Sequence, residues 1–352
     1  MILPPLVEDG AWYGPASATF LVQFPGDPYD PKRNDVRVVF LGEKSGREER
    51  PAFFDPVQGA WRARLFTKTP GRFRPTLVRN GKAMQTEPQE GIVEALPAPG
   101  VGILKPKGEG ETRFRFDTGK VWAGVGADLG ASATPARIDT LADSGATWVH
   151  LSIPHGKLPD DALVAFGDLL DAVERRGLDV TLSIPLEASA AWRRYALARL
   201  GDSPRLVQWN SPVDDPWKRA AVSTSTPWPS LFENRPGPFI VREGDAARIR
   251  ALRTVLEKSD WTEWRAPQAW KAEGAKGVAD GDRMILVTAL GAKLKTLPLA
   301  DGSYDVTTID PSSGATTTET MRVSAAALAL PTPGERFFVL KRKDVAASPT
   351  PQ

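Results

Sequence analysis

Thr147-Trp-Val-His-Leu-Ser-Ile153, then the run 161–177, Asp-Ala-Leu-Val-Ala-Phe-Gly-Asp-Leu-Leu-Asp-Ala-Val-Glu-Arg-Arg-Gly, then Leu178-Asp-Val-Thr-Leu-Ser-Ile184 read as strand, helix and strand. The outer two are short, apolar and β-branched, the composition of strands buried on both faces in a parallel sheet. Between them Leu163, Phe166, Leu169, Leu170 and Val173 recur at three- and four-residue spacing. That period lays one helix face on a core, so a helix is predicted over Pro159–Arg176, ended by Gly177.

The pattern extends both ways. Upstream, Val121–Val125 reads as a strand and Pro135–Ser144 as a helix, with Thr134 as N-cap, Pro135 at the first position and Gly145 at the end. Downstream, Ala188–Leu200 reads as a helix closed by Gly201, and Leu206–Trp209 as a fourth strand. Strands joined this way cross over right-handedly and run parallel. On either side the period changes to that of all-β structure. Ala18–Phe24, Asp35–Leu41, Pro51–Asp55, Ala60–Thr67 and Gly71–Arg79 are strand-like runs split by Gly, Pro and Asp, the spacing of a β-sandwich. The Pro- and Gly-rich stretch 97–111 reads as a linker. Arg283–Leu290, Gly302–Ile309 and Arg336–Leu340 return to strand, with Asp310-Pro-Ser-Ser-Gly314 as a turn. The expected architecture is multidomain α/β plus all-β: an N-terminal β-sandwich (1–116), a shortened TIM-barrel-like α/β domain (117–268), a C-terminal β-sandwich (269–343) and a disordered tail (344–352).

Composition bounds the function. The 352 residues carry 45 basic and 43 acidic side chains, a net charge of +2, which gives no electrostatic footprint for nucleic acid or an anionic membrane. No run approaches the ~18 apolar residues of a membrane helix. Cysteine is absent, which excludes disulfides and thiol chemistry. The two histidines, His150 and His155, speak against a His-rich zinc site and against most Ser-His machinery. No metal or organic cofactor is indicated, and nothing selects an oligomeric state. The opening residues lack the pattern of a signal peptide. A cytoplasmic protein, or an extracellular or periplasmic one whose leader has been removed, both fit. Eleven Trp are present; each is read first as a core residue and second as a sugar-stacking one.

Three motifs carry a family resemblance. Pro51-Ala-Phe-Phe-Asp55 with Trp61 and Thr69-Pro-Gly-Arg-Phe73 is the first. The run 194–210, Arg-Tyr-Ala-Leu-Ala-Arg-Leu-Gly-Asp-Ser-Pro-Arg-Leu-Val-Gln-Trp-Asn, is the second. The run 304–314, Tyr-Asp-Val-Thr-Thr-Ile-Asp-Pro-Ser-Ser-Gly, is the third. In this order they resemble bacterial glycoside hydrolases of the large retaining (β/α)8 clan that carry an N-terminal Ig-like domain of unknown function and a C-terminal β-sandwich. The resemblance implies a carbohydrate partner, polysaccharide or oligosaccharide. In such enzymes a Glu follows Asn at the end of strand four as acid/base, and a second Glu ends strand seven as nucleophile, with the two carboxyls about 5–5.5 Å apart. Here Asn210 is followed by Ser211, and a serine hydroxyl does not protonate a glycosidic oxygen at neutral pH. From Thr118 to Arg265 the chain offers about 150 residues, where eight βα units take ~200 or more.

The candidate residues follow. Glu243 ends the apolar run that starts at Phe239, where a nucleophile would sit; a surface carboxylate beside a helix start is the preferred reading. Asp214 and Asp215 follow strand four and are read as a solvated turn before they are read as a replacement pair. Asp128, after strand one, is a substrate contact or a loop cap. His155, after strand two, lies on the rim where parallel sheets collect ligands. His150, inside strand two, is read as a packed or hydrogen-bonded histidine. Asn210 is the residue kept from the strand-four motif. Trp217 and Trp228 sit in the Pro-rich stretch 211–238, where a loop indole is free to stack on sugar. Gly124–Gly130 follows a strand but lacks the dinucleotide spacing and its acidic partner. The resulting reading is a glycoside-hydrolase-related protein that binds a polysaccharide with catalysis lost. The alternatives are an active hydrolase that pairs Glu243 with Asp214 or Asp215, and a structural protein without ligand.

Overall fold

The computed structural model describes residues 12–43, 46–98, 102, 104–106, 114–156, 158, 161–210, 220–221, 239–241, 244–264, 268–272, 275–288, 297–324 and 335–343. The expected tail 344–352 lies outside them.

Eight strands form the N-terminal sheet system: β1 Trp12–Phe20, β2 Val36–Gly42, β3 Gly46–Pro51, β4 Phe53–Asp55, β5 Ala60–Thr67, β6 Gly71–Arg79, β7 Lys82–Ala83 and β8 Val93–Ala98. Their order is β3-β2-β6-β8-β1-β5-β4, with β7 on β6. The half of β8 from Val93 pairs with β6 and the half ending at Ala98 pairs with β1, so the strand passes from one layer to the other. Alternate residues point between the layers: Ala16, Ala18 and Phe20 from β1, Val36, Val38 and Phe40 from β2, Trp61, Ala63 and Leu65 from β5, and Phe73 and Leu77 from β6. This period-2 burial is what the sequence alternation demands.

The stretch read as a linker contains a strand. Here β9 Leu104–Pro106 pairs antiparallel with β10 Phe114–Phe116.

The central sheet is parallel throughout. Its strands are β11 Val125–Gly130, β12 Trp148–Ser152, β13 Asp179–Ser183, β14 Leu206–Trp209, β15 Ala220–Ala221 and β16 Phe239–Ile240, in the order β15-β14-β13-β12-β11-β16. No ladder joins β15 to β16 among the described residues, and a full eight-stranded barrel is not evident. Three connecting helices, α1 Pro135–Asp143, α2 Asp161–Arg175 and α3 Ala190–Leu200, start at strong caps where caps are seen: Thr134 for α1 and Ser189 for α3. They bury Ile138, Leu163, Leu170, Val173 and Ala196 against Val149, Leu151, Val180 and Leu182 of the sheet. Among the described residues no helix packs on the opposite face. Over its N-terminal half the β9–β10 pair lays Leu104 and Phe116 on Trp122, Trp148 and Val207.

The glycine-rich segment is not a loop after a strand, as the sequence suggested, but the first strand itself. At Gly126 an added Cβ would lie 1.7 Å from the Trp148 carbonyl oxygen, so glycine is required for β11 to approach β12. Asp128 is therefore within the strand and aligned with His150.

Helix α4, Ala246–Ser259, packs on β11 with one side and on the last sheet with the other. That sheet contains β17 Gln268–Ala272, β18 Ala275–Asp280, β19 Arg283–Thr288, β20 Gly302–Ile309, β21 Thr316–Val323 and β22 Arg336–Arg342, antiparallel in the order β17-β18-β19-β22-β20-β21. The described strands make one sheet, which packs α4 on one face and buries Met284, Leu286, Leu297, Leu299, Tyr304 and Phe338 in a second cluster on the other. Val278, Ile285, Ile309, Phe337 and Val339 share one core with Ile249 and Val255. No helix among the described residues is long and apolar enough to cross a membrane.

Candidate functional site

The face of the parallel sheet opposite α1, α2 and α3 carries two rows of polar side chains at right angles to the strands. In the lower row Trp148 Nε1 donates to Thr181 Oγ1 (3.0 Å), and Thr181 reaches Gln208 Oε1 at 3.4 Å. The upper row lies at the C-terminal ends of the strands. There His150 Nδ1 is 2.7 Å from Asp128 Oδ1, His150 Nε2 is 2.6 Å from Ser183 Oγ, and Asn210 Nδ2 donates to the same Ser183 Oγ at 2.9 Å. Four neighbouring strand ends thus contribute one side chain each.

Strand periodicity builds this row. His150 and Ser183 lie on the face opposite Leu151 and Leu182, which bury against the helices. A bulge between the partners of Val180 and Thr181 turns β14 so that Gln208 sits opposite Thr181. Asn210, whose N–H bonds the Leu182 carbonyl at 2.7 Å, then falls beside Ser183.

The proton positions follow from the charges. The His150 hydrogen bond, opposed by partial burial, holds the Asp128 carboxyl below its usual range. A carboxylate only accepts, so His150 Nδ1 carries the proton. In the neutral imidazole Nε2 is then bare and accepts from the Ser183 hydroxyl, which in turn accepts from Asn210. His150 is buried, Asp128 is exposed, and Ser183 and Asn210 are half-buried. The row therefore has an enclosed base and reachable ends.

The sequence-derived candidates divide. Asp128 and Asn210 come together through His150 and Ser183. His155 lies on the same rim with its Nδ1 3.9 Å from Glu187 Oε1 and its ring edge-on to Trp192, the centroids 5.2 Å apart. Glu243, Asp214, Asp215, Trp217 and Trp228 lie outside the described residues. His150 is hydrogen-bonded, as read. Ser183 was missed. Its signal is a repeat, Leu151-Ser-Ile-Pro154 and Leu182-Ser-Ile-Pro185, which ends two adjacent strands with a serine on the same face. Seven of the described tryptophans, Trp61, Trp122, Trp148, Trp192, Trp209, Trp261 and Trp264, are buried, and Trp270 is half-buried.

No known protein-family profile matches this chain, and no curated protein does. Among solved structures its weak neighbours are glycoside hydrolases. A monomeric β-xylosidase from Caulobacter crescentus CB15 is 11% identical with a TM-score of 0.21, and the match covers 60% of each chain. This chain thus spans about three fifths of that enzyme. Pullulanase type I from Bacillus subtilis is 9% identical over 97% of this chain and 86% of its own, with a TM-score of 0.29. A β-arabinopyranosidase is 10% identical over 94% and 78%, with a TM-score of 0.28.

Proposed function

We propose that this chain is a carbohydrate-active protein of three units, near 1–116, 117–268 and 269–343. In this reading the second unit is a shortened barrel relative that binds a polysaccharide or oligosaccharide at the C-terminal rim of its parallel sheet, with retaining glycosidase chemistry lost. The observation that carries this is the row Asp128–His150–Ser183–Asn210. Convergent carboxylate, imidazole, hydroxyl and amide groups are what sugar hydroxyls need from a site. They lie at the strand ends where parallel α/β sheets take ligands. The carboxylates of Asp128 and Glu187 on this rim favour a neutral glycan over an acidic one. The loss of glycosidase chemistry rests on Ser211, which follows Asn210 where the resembled enzymes carry Glu.

The test is calorimetric titration with neutral xylo-, malto- and arabino-oligosaccharides. Wild type binds at least one. Asn210→Ala and His155→Ala each weaken that binding by about 1 kcal/mol, the usual worth of a hydrogen bond. Trp217→Ala and Trp228→Ala each cost about as much if the indoles stack on sugar rings. Binding by wild type that all four variants retain would put the site elsewhere.

A further inference from the structure

The upper polar row has a directionality that sugar binding does not require. A carboxylate meets Nδ1 of an imidazole, Nε2 of the same ring meets a serine hydroxyl, and an amide N–H stands at that hydroxyl. The distances, 2.7, 2.6 and 2.9 Å, are all within hydrogen-bonding reach. The same arrangement of roles activates serine in hydrolases of unrelated fold, and it is recognised by geometry rather than by sequence position.

We propose that Asp128, His150 and Ser183 form a hydrolytic triad, with Asn210 as an oxyanion donor, and that the substrate is a carboxylic ester of a sugar hydroxyl. The sugar part rests on the carbohydrate reading above; the triad does not. Ser183 Oγ adds to the ester carbonyl carbon while His150 Nε2 takes the hydroxyl proton. The carbonyl oxygen becomes an oxyanion, which Asn210 Nδ2 stabilises. Collapse breaks the bond to the sugar oxygen, and that oxygen leaves with the proton from His150. Water, deprotonated by the same nitrogen, then adds to the acyl-Ser183 carbonyl. Breaking the acyl–Oγ bond returns the proton to Ser183 and releases the carboxylic acid. The sum is ester plus water giving alcohol plus acid. Asp128 holds the ring in the tautomer that exposes Nε2 and stabilises its cationic form between the two proton transfers. The position of the groups suits the task. His150 is shielded from solvent while Ser183 is half-open at the rim. The carboxylates of Asp128 and Glu187 there repel phosphate and sulfate esters, which leaves a neutral carboxylic ester.

The test uses the full chain with 4-nitrophenyl acetate and an O-acetylated xylo-oligosaccharide, followed by release of nitrophenol and of acetate. Wild type turns over both. Ser183→Ala and His150→Asn each lose at least about 100-fold, the lower end of a general base's contribution. Asn210→Ala loses on the order of 100-fold in kcat. A fluorophosphonate added to wild type labels Ser183, read by peptide mass, which needs no variant to fold. No turnover and no label on Ser183 overturns the triad, as does turnover that Ser183→Ala retains. Turnover of the nitrophenyl ester alone overturns the sugar-ester substrate and leaves the triad standing. Oligosaccharide binding by Ser183→Ala, measured alongside, separates failure of the triad from failure of the carbohydrate reading.

Discussion

Asp179, the first residue of β13, lies at the far end of the sheet from the polar row, and burial there works against its charge. Enclosure pushes its carboxyl up to about 6, against the Trp122 N–H at 2.8 Å and the Arg205 guanidinium at 3.5 Å. The folded state thus holds this proton more tightly than the unfolded chain. Its contribution to stability is complete below about pH 4 and is lost as pH rises through about 6. Asp179→Asn, uncharged throughout, should gain on wild type by roughly 2–3 kcal/mol between pH 4 and pH 7 in urea denaturation. A difference that stays constant across that range contradicts the assignment. Gly126 is a second residue whose identity is forced. Gly126→Ala must push β11 off β12 and should cost at least about 3 kcal/mol in the same assay, the upper end for overpacking. Little of this was legible beforehand. The sequence placed a glycine-rich loop where a strand lies, because glycine in a strand is rare and a close backbone approach leaves no mark in composition. Asp128 and Asn210 were legible from strand ends. Ser183 was not, because serine at a strand end is common and only its partners give it meaning.

Among the elements, the motifs that carried the family resemblance turn out to meet one another. Phe53 and Phe54 of β4 pack against α3, where Tyr195 OH donates to the Phe54 carbonyl at 2.9 Å and Tyr195 stands edge-on to Phe53. Arg194 pairs with Asp35 at 2.5 Å, and Arg199 lies over the Phe53 ring. From β5, Arg64 Nη1 sits 3.1 and 3.2 Å from the two oxygens of Asp202, which is 2% exposed. Two of the three motifs thus form the joint between the sandwich and α3, and their residue types answer to that contact. Arg64→Ala takes the guanidinium away from a buried carboxylate. It should destabilise by about 2 kcal/mol, less than a fully buried pair because the Arg64 side chain is 35% exposed. Arg64→Ala combined with Asp202→Ala should cost less than the sum of the two, measured as a double-mutant cycle; simple additivity would mean no coupling. The βα alternation of the centre was plain from periodicity. Strands β3 and β21 were not, since Gly46-Arg-Glu-Glu-Arg-Pro51 and Thr316-Thr-Thr-Glu-Thr-Met-Arg-Val323 are polar edge strands with almost no buried face to mark them.

On the scale of the whole molecule, the middle and last sheets share a hydrophobic core across their boundary. Helix α4 buries Ile249, Leu252, Val255 and Leu256 between them, and one continuous core runs from Leu151 to Phe337. Removing residues 269–352 strips one side of α4. The remaining chain is expected to lose cooperative unfolding of its α/β part by circular dichroism; an intact transition at the wild-type temperature would show that the sheet folds without its partner. The N-terminal sandwich has its own core, joined to the rest through the β4–β5 contact with α3. This arrangement leaves the C-terminal ends of β11 to β14 as the place where polar groups converge, and the account stands on a glycan binding there. Hydrogen–deuterium exchange with and without a saturating oligosaccharide tests this most directly. The account predicts slowed exchange concentrated in peptides that cover 128–130, 150–155, 183–187 and 208–210. Protection confined to the N-terminal or C-terminal sheet, with these strand ends unchanged, would contradict it.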